Sequence, residues 1–332
     1  MKRAAPTLCT TPALSTGCSD DRSGPRLHNH VRRTVRTPDG VELAVRDFGP
    51  QSADHTVVLL HGLCVSDAVW RRQIPYLLST CDEVVRVVSY DHRGHGRSSD
   101  APKGTYQIDQ LASDLAEVLA ALEIGGRLTL VGHSMGGMTA LAYLARPTSQ
   151  RPLDPQGLVL IATAAGRLTR QGLGRMLAVP GADALLGLAR RLPRSALGSL
   201  ARPVCWTAGR LWPAHRVMVD AVAAAVADTS LLTALSFLPG LRKYDQRRFL
   251  RDIRAQTIIL SGADDPITPA VHSRELASAI ADAVHINVPH TGHMLPREAP
   301  HVVNDAIRRA MFPAIDRRRP AGHHQISMGA MQ

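Results

Sequence analysis

The run Leu128-Thr-Leu-Val131 passes through Gly132-His-Ser-Met-Gly136 straight into Gly137-Met-Thr-Ala-Leu-Ala-Tyr-Leu144, leaving no spare residues between an apolar strand pattern and a helical one. A strand turns into a helix that abruptly only where small flanking residues let the two approach and one residue accepts a strained backbone. Gly132 and Gly136 meet that demand, and Ser134 takes the strained place. Its hydroxyl then stands at a helix N-terminus, where free N–H groups and the positive end of the helix dipole favour negative charge. The turn commits its surroundings to a strand followed by a packed helix.

The remainder of the chain repeats that unit. Alternating residues over 31–36 and 41–48 flank Thr37-Pro-Asp-Gly40 and predict a hairpin. Buried strands are expected at 56–60, 84–90, 128–131, 158–162, 257–260 and 284–288, with helical patterns at 70–78, 108–122, 270–280 and 298–311. Strand and helix in alternation imply an α/β fold with a mostly parallel sheet and helices on both faces. Residues 166–244 break the rhythm: they are Ala- and Leu-rich, helical in pattern at 218–226, and punctuated by Pro193, Pro203, Pro213 and Pro239-Gly240. They read as a helical insertion. The expected organisation is an arm without regular structure over 1–30, a core made of 31–165 and 245–312, the insertion between them, and a disordered basic tail over 313–332.

Composition removes several function classes. Cys9, Cys18, Cys64, Cys81 and Cys205 are odd in number and scattered, which argues against a disulfide framework or a zinc site and fits a reducing, cytoplasmic compartment. The N-terminal residues are too interrupted by Pro and Thr for a secretory apolar region, and no stretch is long and apolar enough to span a bilayer. Formal net charge is +11, and it concentrates between 166 and 254, where fifteen basic residues meet five acidic ones. No aromatic interleaving or nucleic-acid motif accompanies this charge, so no nucleic-acid partner is expected. The readings left are a solvated cationic face, weak contact with an anionic lipid surface through the insertion, and attraction of an acidic substrate. His323-His324 in the Arg-rich tail reads as part of a basic end, not as a metal site.

A serine hydroxyl is a poor nucleophile at neutral pH, so it needs a base in hydrogen-bond reach and an acid to fix that base's tautomer. Both should lie beyond later strands, at the edge where open α/β sheets build sites. His293 sits after the strand at 284–288, with His290 as the alternative in the same loop; Asp264 and Asp265 both follow the strand at 257–260. The loop Leu60-His-Gly-Leu-Cys64 leaves the first parallel strand, where the backbone N–H groups of Leu63 and Met135 can meet one oxygen.

With these pieces in order, the chain resembles the α/β-hydrolase superfamily over about residues 30 to 312. His61-Gly62 resembles its oxyanion loop, Asp91-His-Arg-Gly-His-Gly-Arg-Ser98 its loop after the next strand, Gly262 to Pro269 its acid loop, and Gly292-His293 its histidine loop. The insertion matches the place of its helical cap. The resemblance implies a triad of Ser134, Asp265 and His293, since the acid usually stands three residues after the loop glycine, with an oxyanion hole from Leu63 and Met135. His61, His92, Arg93 and His95 are read as loop-fixing. The Gly-His-Ser-Met-Gly-Gly motif is similar to that of carboxylesterases and acylglycerol lipases and implies a serine esterase acting on a small ester or acyl substrate, with no cofactor and no metal. Two alternatives stay open: a carbon-carbon bond hydrolase of an acidic diketone or a haloperoxidase-like hydrolase, and a non-catalytic ligand-binding protein on the same fold. Substrate, acyl length and oligomeric state are not specified by the residues.

Overall fold

The computed structural model describes residues 8–10, 30–80, 84–170 and 231–312. Most of the insertion, including its pattern at 218–226, the tail at 313–332 and most of the arm lie outside the described residues. The arm contributes one element, since β1 (Leu8–Thr10) pairs antiparallel with β2 (His30–Arg36). The expectation of an arm without regular structure is therefore corrected at these three residues. Leu8–Thr10 extend the ladder of an otherwise outermost strand, and pairing an edge satisfies its backbone groups.

The predicted hairpin forms from β2 and β3 (Glu42–Phe48). Its turn is closed by Gly40 N–H to Thr37 O and Thr37 N–H to Val41 O, both 2.9 Å, with Gly40 at φ 85. β4 (His55–Leu60), β5 (Val85–Tyr90), β6 (Arg127–His133), β7 (Gly157–Ile161), β8 (Gln256–Gly262) and β9 (Val284–Val288) follow. The sheet runs in the order β1-β2-β3-β5-β4-β6-β7-β8-β9. Pairing is parallel from β5 through β9 and antiparallel among β1, β2, β3 and β5.

The central strands are apolar on both faces, as a doubly covered sheet requires. Val58, Leu60, Val88, Leu158 and Leu160 face one cluster, packed by α2 (Ile108–Ala121) and α3 (Met135–Leu144). Val57, Leu59, Val87, Val159 and Ile161 face the other, packed by α1 (Gln73–Thr80) and the C-terminal helix. Each fully buried aliphatic side chain contributes about 1.5–3 kcal/mol relative to exposure. The helix expected at 298–311 runs from Pro300 to Met311, its start set where Pro300 keeps Ala299 out of helical conformation, at φ −130 and ψ 58.

At the base of the insertion Gly166 pairs with Asp245, and Gln246 N–H donates to Ala165 O at 2.7 Å, which joins the two ends of the inserted segment. Its last helix, α4 (Leu231–Lys243), runs through Pro239-Gly240, which the sequence reading took as punctuation. Packing overrides the proline here. Phe237 and Leu241 are buried, and a side chain at Gly240 would stand 3.1 Å from Tyr106 O, so glycine lets α4 lie close on the chain before α2. Beyond the insertion come α5 (Ala270–Ala279), α6 (Leu295–Glu298) and α7 (Pro300–Met311). Among the described residues no helix is long and apolar enough to cross a membrane.

Candidate active site

Ser134 lies between β6 and α3 with φ 52 and ψ −117, a conformation that L residues rarely hold. Its surroundings over-determine it. Ser134 N–H donates to Ile161 O at 2.8 Å, and its carbonyl accepts from Gly137 N–H, Met138 N–H and the Thr163 hydroxyl at 3.0, 3.2 and 2.7 Å. The glycines explain the tight turn: a Cβ on Gly132 would stand 2.5 Å from Gly136 O, and one on Gly136 would collide with Leu60 O. Gly62 of the loop after β4 lies directly over the turn, since a Cβ there would reach Ser134 Cβ at 3.1 Å and His133 Nδ1 at 3.0 Å.

Asp265 is buried at the end of the loop after β8. Its Oδ1 accepts from Ile267 N–H and Thr268 N–H at 2.8 and 3.1 Å, and its Oδ2 accepts from the Thr268 hydroxyl at 2.7 Å and from His293 Nδ1 at 2.8 Å. Burial alone would raise the Asp265 pKa, but the His293 ring and these hydrogen bonds outweigh it and hold the carboxyl at about 2. The contact assigns the Nδ1–H tautomer to His293 and leaves Nε2 without a proton. Asp264 is exposed and, among the described residues, bonds through its N–H alone, to Thr291 O at 3.0 Å; His290 is exposed at φ 53. The structure thus brings Asp265 and His293 together and leaves Asp264 and His290 apart from them.

His293 reaches the elbow through its neighbour. The His133 ring lies 5.0 Å from the His293 ring, and His133 Nε2 is 2.9 Å from the His293 carbonyl. The Ser134 hydroxyl is half-buried and makes no hydrogen bond among the described residues, as in many unliganded sites whose catalytic contacts tighten on binding. Met135 N–H is the first of α3, where no preceding turn supplies an acceptor, and no hydrogen bond among the described residues takes up Leu63 N–H.

The loop after β5 is held by its own histidines and arginine. His61 Nδ1–H donates to Gly62 O at 2.7 Å and Nε2 accepts from His92 N–H at 2.8 Å, while His95 Nε2 accepts from Cys64 N–H at 3.3 Å. Arg93, fully buried, spans Asp114 on α2 at 2.7 and 2.6 Å and Asp39 in the hairpin turn at 2.8 Å. Phe237 of α4 packs edge-on to Tyr106 at 5.2 Å and beside His95 at 5.7 Å, so the insertion rests on this loop. Two positions went unremarked in the sequence. Thr268 orients the acid from three residues away, a side-chain-to-backbone turn with a recognisable Asp-x-x-Thr spacing. Glu298 accepts from Gly292 N–H at 2.5 Å and Met294 N–H at 3.0 Å, one on each side of His293, and only the folded loop reveals it.

Burial lowers the pKa of His95 and His133 to about 3 each, with His61 and His293 respectively adding to the shift. Both rings are therefore neutral in the fold while their unfolded counterparts, near 6.5, take up protons first. Their stability contribution is complete above about pH 6.5 and is lost as pH falls toward 3. Each should cost about 2 kcal/mol by pH 5. Urea unfolding at pH 7.5 and pH 5.0 is expected to show a loss of about 4 kcal/mol from this pair, and equal midpoints would contradict it.

The sequence pattern that defines the alpha/beta hydrolase family matches residues 57–306. The chain spans less than half the length of two curated relatives that it matches at 38% and 36% identity. One of these is the bifunctional esterase/perhydrolase DCH of Acinetobacter calcoaceticus, 36% identical over 39% of this chain and 44% of that protein. The 3-oxoadipate enol-lactonase 2 of Acinetobacter baylyi is 27% identical over 85% of this chain and 97% of its own length. Among solved structures, a hydrolase from Pseudomonas aeruginosa PA01 superposes with a TM-score of 0.65 at 27% identity, covering 84% of this chain and 97% of that one.

Proposed function

We propose that this chain, which belongs to the alpha/beta hydrolase family, is a serine hydrolase that cleaves carboxylic esters, open-chain or cyclic, through an acyl-enzyme on Ser134. The observation that carries the reading is the 2.8 Å bond from His293 Nδ1 to the buried Asp265 carboxylate, next to a serine held at a strained strand-to-helix turn. Nε2 of His293 takes the Ser134 proton as Oγ attacks the ester carbonyl. The Leu63 and Met135 N–H groups receive the oxyanion, with the N-terminal end of α3 adding its dipole. His293 then returns the proton to the leaving alcohol and activates water, whose attack releases the acid and frees Ser134. The esterase/perhydrolase and enol-lactonase relatives support an ester as the bond attacked.

The test is a panel of p-nitrophenyl esters, lactones, thioesters and vinylogous diketones, run with the wild-type chain before and after a serine-directed fluorophosphonate. Ester or lactone turnover that the phosphonate abolishes is the expected result. Turnover of diketones alone would replace the ester reading with carbon-carbon hydrolysis. A folded chain that turns over nothing and takes up no phosphonate would be a binding protein.

The same reading includes weak contact of the insertion with anionic lipid. Among the described residues, Arg248, Phe249, Arg251 and Arg254 are exposed where the insertion rejoins the core, an aromatic side chain set among cations. Each cation near an anionic surface contributes about 1 kcal/mol, screened within a Debye length. Co-sedimentation with phosphatidylserine vesicles at low salt should exceed that with phosphatidylcholine and fall at high salt; equal binding to both would return these residues to a solvated face.

A further inference from the structure

We propose that His133 is a positioning residue for His293, and that Glu298 completes a clamp on the histidine loop. This inference rests on the site reading above. Three successive residues of that loop each have one backbone group held by a side chain from outside it: Gly292 N–H and Met294 N–H by the Glu298 carboxylate, and the His293 carbonyl by His133. A carbonyl only accepts, so His133 must donate from Nε2, and its Nδ1 is then a bare lone pair.

That nitrogen is buried with no hydrogen-bond partner among the described residues and lies against Gly62, where an added Cβ would stand 3.0 Å away. An apolar side chain at 133 would avoid leaving a buried acceptor unpaired. The imidazole gives in return a bond between the residue preceding the nucleophile and the backbone of the base, across 160 residues of sequence. The ring is also wedged between Gly62 of the oxyanion loop and the His293 ring, 5.0 Å away by centroids. One side chain thereby fixes the elbow, the oxyanion loop and the histidine loop against each other. Asp265 sets the tautomer of His293; the clamp sets where its ring stands.

The test measures the rate of fluorophosphonate labelling at Ser134 together with kcat and KM for an ester, in wild type, His133→Leu, His133→Gln and Glu298→Ala. Misplacing a base by about 1 Å costs about 100-fold, so His133→Leu is expected to lower kcat and the labelling rate about 10- to 100-fold with KM nearly unchanged. His133→Gln, which keeps a donor at similar reach, should recover most of the loss. Glu298→Ala, at an exposed position that folding tolerates, should slow labelling by a smaller factor. Labelling of His133→Leu at the wild-type rate overturns the proposal, as does a loss confined to KM or one that glutamine does not recover. If His133→Leu does not fold, wild-type labelling of Glu298→Ala overturns the clamp. A wild-type chain that is not labelled at Ser134 removes the site reading itself, and this inference with it.

Discussion

Replacing Ser134 with alanine is expected to lower ester turnover about 10⁶-fold, and His293→Ala should do the same, because nucleophile and base act as a unit and losses of that size follow their removal in subtilisin. The fold should survive the first change. Alanine keeps the Cβ, and the bonds that hold residue 134 are all made by its backbone: N–H to Ile161, and the carbonyl to Gly137, Met138 and Thr163. The strain at φ 52 is the same for both side chains. Steady-state hydrolysis of p-nitrophenyl acetate, with circular dichroism as the control for folding, checks the expectation. Hydrolysis by folded Ser134→Ala at more than about a hundredth of the wild-type rate would sink the nucleophile assignment.

Asp265→Asn is expected to cost about 10⁴ in turnover, by the precedent of the chymotrypsin acid. The carboxylate accepts four hydrogen bonds, from Ile267 N–H, Thr268 N–H, the Thr268 hydroxyl and His293 Nδ1. An amide oxygen can serve the first two, which leaves its NH₂ facing His293. The ring then turns its lone pair to residue 265 and carries its proton on Nε2, where it cannot accept one from Ser134. Because Asp265 holds its charge down to about pH 2, mild acid does not mimic the substitution. Asp264→Asn, at an exposed position whose side chain bonds to none of the described residues, should stay within about twofold of wild type, an expectation for a surface change distant from reacting atoms. The reverse order for the two variants would mean that residue 264 holds the histidine in solution.

Much of this was legible in the chain, and the reason is local. Glycines where strand meets helix, Pro-Asp-Gly between two alternating runs, and strands apolar on both faces each express a constraint contained within about ten residues. The choice of Asp265 and His293 came from the family resemblance, because Asp264 and His290 stand in the same two loops with the same local signals. What failed was also local in signal but not in cause. Pro239-Gly240 looks like a helix end, yet buried Phe237 and Leu241 carry α4 through it.

Periodicity and turn chemistry in the chain were enough for the parallel sheet and for the sharp strand-to-helix turn at Ser134, because those depend on backbone sterics and on which faces must leave water. No local pattern shows why Asp265 and not Asp264 meets His293, since both stand in one loop; the fold does, by which carboxylate the sheet edge buries beside that ring. Likewise nothing in Gly-His-Ser-Met-Gly announces that His133 meets the carbonyl of a residue 160 positions away, or that Glu298 spans both sides of that residue. Such contacts carry no sequence periodicity. They arise when three loops converge at the carboxyl ends of β4, β6 and β9, and each polar group there takes the partner that burial leaves it.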